Sequence, residues 1–457
     1  MELFSSRNLF YAGGLYLLAI TLAGWGFAVG RFNAFPAEQL NGIIEFFIDQ
    51  PNPDAPVSVV EKITKATLEE KTVRGEAAGF IRHDDSFVDP GFLLMPRYSG
   101  SHKQFVIELV RLRDFRVLHQ WVPPIEEIVA KLPEPLRTGH NTRDVFVARH
   151  PLLLKDGSIV AHTGFGPLFR IDKESRLMWT WDTIQPAHHA ISLDPDGNLV
   201  VVGNTLNNGE ALPSIGKELS DGNIGTPLDG YFTVSVETGK VLRRDHVAQI
   251  LAESGYESLI YGMYVRNDLD DPVHLNDAEP VLFEQAGIAQ RGDVAISLRN
   301  ISTVLLYRPS TRKVIWLRTG PWIAQHDVDV LPDGRLHVHS NNSSPWNSKR
   351  LRKFSDVYVI DPTTDQVERP YYKVLEELGT FNLTEGLSRI LPNGDLYFEQ
   401  TNSGWAFRAS EDGLRWEFVN QTRPDFVGRV SWSRYLLPEE INLDWLEANQ
   451  GEENEWN

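Results

Sequence analysis

The segment HHAISLDPDGNLVVVGN (residues 188–204) decides the fold. Two β-rich runs flank Asp196-Gly197, a dipeptide suited to the tight turn of an antiparallel hairpin. HPLLLKDGSIVAHT (150–163), QHDVDVLPDGRLHVHSNN (325–342) and EGLSRILPNGDLYFEQTN (385–402) share the layout. A further strand pair follows, as in GPLFRIDKESRLMWTWD (166–182) after the first hairpin in the chain and DGYFTVSVETGKVLRRD (229–245) after the second. Two strands and then two more make one four-stranded propeller blade. A fifth copy with a longer hairpin spans 274–320, and an N-terminal copy fits residues 80–122. The expectation is an all-β, six-bladed β-propeller over residues 80–437.

The remainder reads differently. Residues 9–29 (LFYAGGLYLLAITLAGWGFAV) carry no charge and are long enough to cross a bilayer as a helix. Residues 1–32 are therefore expected to be an uncleaved, single-pass membrane anchor, with a cleaved signal as the alternative, and 33–79 a short helical connector. Residues 438–457 form an acidic C-terminal tail. The net charge of −18 opposes general binding to a phosphate backbone, so nucleic acid is not an expected partner. The absence of cysteine excludes disulfides, thiolate catalysis and cysteine-ligated zinc.

The repeats also imply a site. The first strand of each blade lines the central channel, and its hairpin partner returns beside it. Counted outward from the turns, His189 falls opposite Asn204 and His326 opposite Asn341. In the long-hairpin blade His274 opens the first strand and Arg299 ends the second, so these two are expected to approach. His150 lies one place out of this register, and His188 is expected to face the other side. His83, His102, His119, His140, His162, His246, His337 and His339 are read as ordinary surface or core groups.

Three imidazoles can hold zinc with an open position, and that option stands. A neighbouring Arg opposes a cation, however, and suits a tetrahedral oxyanion instead. A neutral imidazole can also attack sulfur or phosphorus and hold the group covalently. Transfer of an anionic group is the better fit, with no cofactor or metal expected.

HHAISLDPDGNLVVVGN, DPVHLNDAEPV, the SLRN run containing Arg299, and QHDVDVLPDGRLHVHSNN resemble the motifs of bacterial arylsulfotransferases. That family has six-bladed propellers that move sulfuryl groups between phenols without a nucleotide sulfate donor. The resemblance implies that His326 becomes sulfated, while His274 and Arg299 bind the sulfuryl oxygens. It implies that His189 exchanges a proton with the phenol, with an aryl sulfate donor and a phenolic acceptor as small-molecule partners. Asn204, Asn341 and Trp322 are the expected substrate-binding residues, and Tyr264 and Trp346 are further aromatic candidates. It places the propeller outside the cytoplasm, on the periplasmic side of the membrane. The chain departs from the secreted members in lacking their β-sandwich and disulfide. A non-catalytic ligand-binding or scaffold propeller, and a metal-dependent hydrolase or lyase, are the alternatives.

Overall fold

A computed structural model describes residues 69–71, 78–132, 146–164, 166–181, 183, 185–205, 229–261, 273–344 and 350–446. Six antiparallel sheets succeed one another along the chain. The first contains Phe92–Ser99, Gln104–Arg111 and Arg116–Trp121. The second runs from Arg149–Leu153 to Leu177–Thr180, and the third from Ala187–Leu193 to Val241–His246. The fourth runs from Leu275–Pro280 to Lys313–Thr319, with the long hairpin between its first two strands. The fifth runs from Asp327–Val330 to Val367–Glu368, and the sixth from Leu387–Ile390 to Gly413–Val419. The glycines of the four short hairpins, Gly157, Gly197, Gly334 and Gly394, have φ of +80°, +80°, +86° and +85°. Only glycine holds that conformation without steric cost, which fixes each turn and hence each register.

The leading strands touch in chain order, second to third through fifth to sixth, so the sheets are blades around one axis. Large apolar side chains fill the space between them. Val160, Trp181, Ile191 and Phe232 pack between the second and third blades, and Ile107, Trp121, Phe146 and Phe169 between the first and second. Each such side chain, fully buried, stabilises the fold by about 1.5–3 kcal/mol.

Side-chain acceptors stitch the inner strands together. His150 Nδ1 accepts from Ile191 N at 3.1 Å, and Asp229 from Leu275 N at 2.7 Å. Asp277 accepts from Val328 N at 2.8 Å, and Asp327 from Ser388 N at 2.9 Å. Each bond runs from one blade to the next, satisfying backbone donors that no strand partner reaches.

Three expectations are corrected. The inner strand of the first blade comes from the chain's other end: Arg434–Leu436 pairs antiparallel to Phe92–Leu94. This closes the ring, and Glu399 of the sixth blade locks it by accepting from Trp432 N at 2.8 Å and Ser433 N at 2.7 Å. Within the expected helical connector, Glu69–Lys71 is a strand paired to Phe426–Gly428, and at its end, where the first blade was expected to begin, Gly79–Arg82 is instead a fifth strand on the sixth blade. Exposed sheet edges bind an extended segment there, which outweighs its helix propensity. The expected tail begins as packed structure, because Trp445 is buried against His119 and Trp121, with ring centroids at 5.1 and 5.5 Å. No helix among the described residues is long and apolar enough to cross a membrane, and the anchor expected over 1–32 lies outside them.

Candidate active site

One residue with left-handed backbone stands at the entry to every inner strand. In chain order these are His150, His189, His274, Ala324, Glu385 and Trp432, with φ of +45°, +61°, +52°, +50°, +64° and +61°. Residues other than glycine adopt this conformation at a cost, and such residues concentrate at functional sites. Three of the six are histidines. In the third blade the left-handed residue lies inside a bulge, where pairing jumps from Ala187–Gly203 to Ile191–Val201. The bulge re-aims consecutive side chains that a regular strand would send to opposite faces.

The cluster is built from three blades. His189 lies edge-on to His274, with ring centroids 5.1 Å apart, and 5.9 Å from His326. His189 and His326 are 3% and 1% exposed. Burial, reinforced by the charges of Arg299 and His274, holds the His326 imidazole well below its usual pKa. Burial and then His188, His274, Arg149 and His326 do the same to His189. Both rings are neutral at pH 7, with a lone pair to offer.

The tautomer of His326 follows from its neighbours. Its Nδ1 lies 2.8 Å from Asn341 Oδ1 and 3.3 Å from the Ala324 carbonyl. Asn341 Nδ2 donates to the Glu385 and Asn382 carbonyls at 2.6 and 3.3 Å, which turns its amide oxygen towards the ring. Two acceptors at Nδ1 require the proton there, leaving Nε2 with the lone pair. His162 acts on the neighbouring blade: its Nε2 donates to the His189 carbonyl at 2.8 Å while its Nδ1 accepts from Gly164 N.

Charge around the cluster is organised by an ion triad. Arg149 and Arg429 both pair with the Glu385 carboxylate, the former at 2.9 Å. Burial raises the pKa of Glu385, but the two guanidinium groups overcome that and hold it at about 2. The triad carries one net positive charge, and Arg299 adds another. That field favours an anion over a metal cation.

Asn341 pairs with His326, and Arg299 N donates to the His274 carbonyl at 2.9 Å. Asn204 stands differently: its Oδ1 lies 3.2 Å from Nε2 of His188, not beside His189. The bulge causes this, since it adds residues that counting from the turn does not see. His188 accordingly does not face away; its ring Nδ1 lies 2.8 Å from His189 Nδ1. Trp322 is absent from the cluster, buried among Val281, Val328, Val338 and Tyr358 in a core between blades. Tyr264 and Trp346 lie outside the described residues.

Counting from the turns missed His188, His162, Arg149 and Glu385. The missing signal was the left-handed entry position, which His150, His189 and His274 share and which Ala324, not His326, occupies in the fifth blade. For a metal, nitrogen atoms of His189, His274 and His326 lie within 4.8 Å of one another. They form a donor set that geometry alone would permit to bind a cation, against the local charge.

A family model described as arylsulfotransferase (ASST) matches residues 150–421. No curated protein gives a significant match. Among solved structures, a protein of unknown function from Bacteroides caccae is 12% identical with a TM-score of 0.46, covering 76% of this chain and 99% of its own. A Dos1 propeller is 11% identical with a TM-score of 0.38, covering 73% and 71%. Virginiamycin B lyase from Staphylococcus aureus is 10% identical with a TM-score of 0.32, covering 61% and 71%.

Proposed function

The chain belongs to the arylsulfotransferase family, and from that premise we propose that it moves a sulfuryl group between phenolic compounds through a sulfohistidine at His326. The observation that carries this reading is the pinned tautomer of His326. Its Nδ1–H is engaged by Asn341, and Nε2 keeps its lone pair in a buried site beside Arg299.

In the first half-reaction His326 Nε2 attacks sulfur, the N–S bond forms, and the S–O bond breaks with its electron pair on the phenolate oxygen. Arg299 and His274 stabilise the charge on the sulfuryl oxygens. His189 supplies the proton that turns the phenolate into a phenol. A second phenol then reverses each step, so donor and acceptor use one site in turn. No cofactor is required. Asn341 acts by holding His326 and Asn204 by holding His188, while the burial of Trp322 argues for a packing role.

Residues 9–29 would tether the propeller to a membrane, on the outer, periplasmic side, where aryl sulfates are accessible without a nucleotide donor. The test of function is to incubate the full-length protein in detergent with p-nitrophenyl sulfate and phenol. Nitrophenol release that depends on phenol, with phenyl sulfate as product, is expected, and it disappears in His326→Ala. A non-catalytic propeller would show neither.

One observation favours a metal-dependent hydrolase, namely the spacing of the three imidazoles. That reading requires stoichiometric zinc and loss of activity with a chelator. The sulfuryl-transfer reading requires activity that a chelator leaves unchanged.

A further inference from the structure

Consecutive histidines seldom act together in a strand, because alternation separates them. Here the bulge between Ala187 and Ile191 brings both rings to one place. Nδ1 of His188 and Nδ1 of His189 are 2.8 Å apart, a distance that requires one shared proton. The other nitrogen of His188, Nε2, lies 3.2 Å from Asn204 Oδ1 and 3.4 Å from Asp229 Oδ1. Both of these accept: the Asn204 amide oxygen carries no proton, and Asp229 also takes the Leu275 N–H through Oδ2 at 2.7 Å. His188 Nε2 therefore donates towards these oxygens, and the contact between the two Nδ1 atoms is where a proton can pass.

We propose that Asp229, His188 and His189 form a proton relay in which His188 stores the proton that His189 exchanges with the phenol. This inference rests on the sulfuryl-transfer reading and adds to it two positioning residues, His188 and Asp229.

The protons balance over the cycle. In the proposed cycle the relay starts with a proton on each nitrogen of His188 and with the proton of His189 on its Nε2. As the S–O bond breaks, the Nε2 proton of His189 passes to the phenolate oxygen. The Nδ1 proton of His188 moves to His189 Nδ1, so the leaving phenol is neutral. His189 Nε2 then holds a lone pair. In the second half-reaction it removes the acceptor phenol's proton while the Nδ1 proton returns to His188, and the N–S bond breaks with its electrons on His326 Nε2.

Position explains why two histidines are used. His189 is faced by His188, Arg149, His274 and His326, all of which disfavour a positive charge on it. His188 is faced by Asp229 and Asn204, with His274 stacked at 6.4 Å between ring centroids. The relay moves the stored charge off the crowded ring and places it beside the carboxylate, with His189 as its member that meets the phenol. The fixed tautomers resemble the orienting role of a carboxylate in a catalytic triad.

The test compares donors whose phenols differ in acidity, using full-length wild type, His188→Gln and Asp229→Asn. Proton delivery matters for a poor leaving group and hardly at all for a good one. His188→Gln is expected to lower kcat/KM for phenyl sulfate by about 10²-fold and for p-nitrophenyl sulfate by less than about 3-fold. The plot of log kcat/KM against phenol pKa steepens accordingly. Asp229→Asn keeps an oxygen for the Leu275 N–H and should steepen the same plot, which preserves the test should His188→Gln fail to fold. An equal loss for every donor would mean a structural role and overturn the relay, as would no loss at all. If the wild type forms no sulfuryl-enzyme with any donor, the family-based reading falls first and the relay with it.

Discussion

Asn341 holds His326 in one tautomer: the amide oxygen lies 2.8 Å from Nδ1, and the amide nitrogen is committed to two carbonyls of the sixth blade's entry segment. The nucleophile's readiness therefore depends on a neighbour that never touches substrate. Asn341→Ala is expected to slow formation of the sulfuryl-enzyme by about 10²-fold, the loss typical of a reacting group slightly misplaced. Rapid-quench measurement of the first turnover with p-nitrophenyl sulfate checks this, and an unchanged burst would contradict it.

Glu385 is the second support. Glu385→Gln removes the carboxylate that two buried guanidinium groups share, leaving them uncompensated. Breaking such a buried arrangement costs about 3–5 kcal/mol, so Tm should fall by several degrees. The group's pH dependence has a definite sign. Its folded pKa of about 2 lies below the unfolded carboxylate value of about 4.3. The stabilisation is thus present above that unfolded value and is lost as pH falls towards 2. Wild type should lose stability over this window more steeply than Glu385→Gln.

The buried histidines set a second, higher window. Burial holds His162 and His339 at about 3, and it pushes His150, His189 and His326 well below the ordinary value. Below pH 6.5 the unfolded chain takes up protons that these native residues refuse. Stability therefore declines as pH falls from 6.5 towards 3, by up to roughly 1.4 kcal/mol per pH unit for each histidine. Denaturant midpoints measured from pH 7 to pH 4 test this. His339→Gln, at a ring that meets Ser388 and Asn382 and takes no part in the proposed chemistry, should flatten the slope.

Ring closure supplies a fourth expectation. Glu399 accepts from two backbone donors of the C-terminal segment and from the hydroxyls of Thr401 and Ser433. Glu399→Ala strands those buried donors at about 1–3 kcal/mol each. It should release the C-terminal strand first, seen as faster amide exchange at Trp432–Leu436 than in the other inner strands. Uniform exchange across all six blades would contradict the closure role.

The short hairpins were legible because a left-handed glycine beside Asp or Asn marks each turn, and four of the six leading pairs follow from it; the fifth, with the long hairpin, follows from its flanking β-rich runs. The closing strand Arg434–Leu436 was not, since a three-residue strand with a sequence-distant partner has no turn of its own. The same logic divides the site. Between Asp327 and the turn the register is regular and sets Asp327 opposite His339, so Ser340 falls opposite His326; Asn341, one place further along, still reaches its Nδ1, and the count was close enough to find the pair. Between Ala187 and Ile191 a bulge intervenes, and Asn204 consequently meets His188 instead of His189. Trp322 is expected from the sequence among the substrate-binding residues, whereas interblade packing takes its apolar ring.

The central claim is that His326 carries the sulfuryl group, and the most direct measurement is the mass of the protein quenched during turnover with p-nitrophenyl sulfate. One added SO3 per chain, mapped by peptide fragmentation to His326 and discharged on adding phenol, is the predicted result. Nitrophenol release with no adduct on any histidine, or an adduct that persists in His326→Ala, would contradict it.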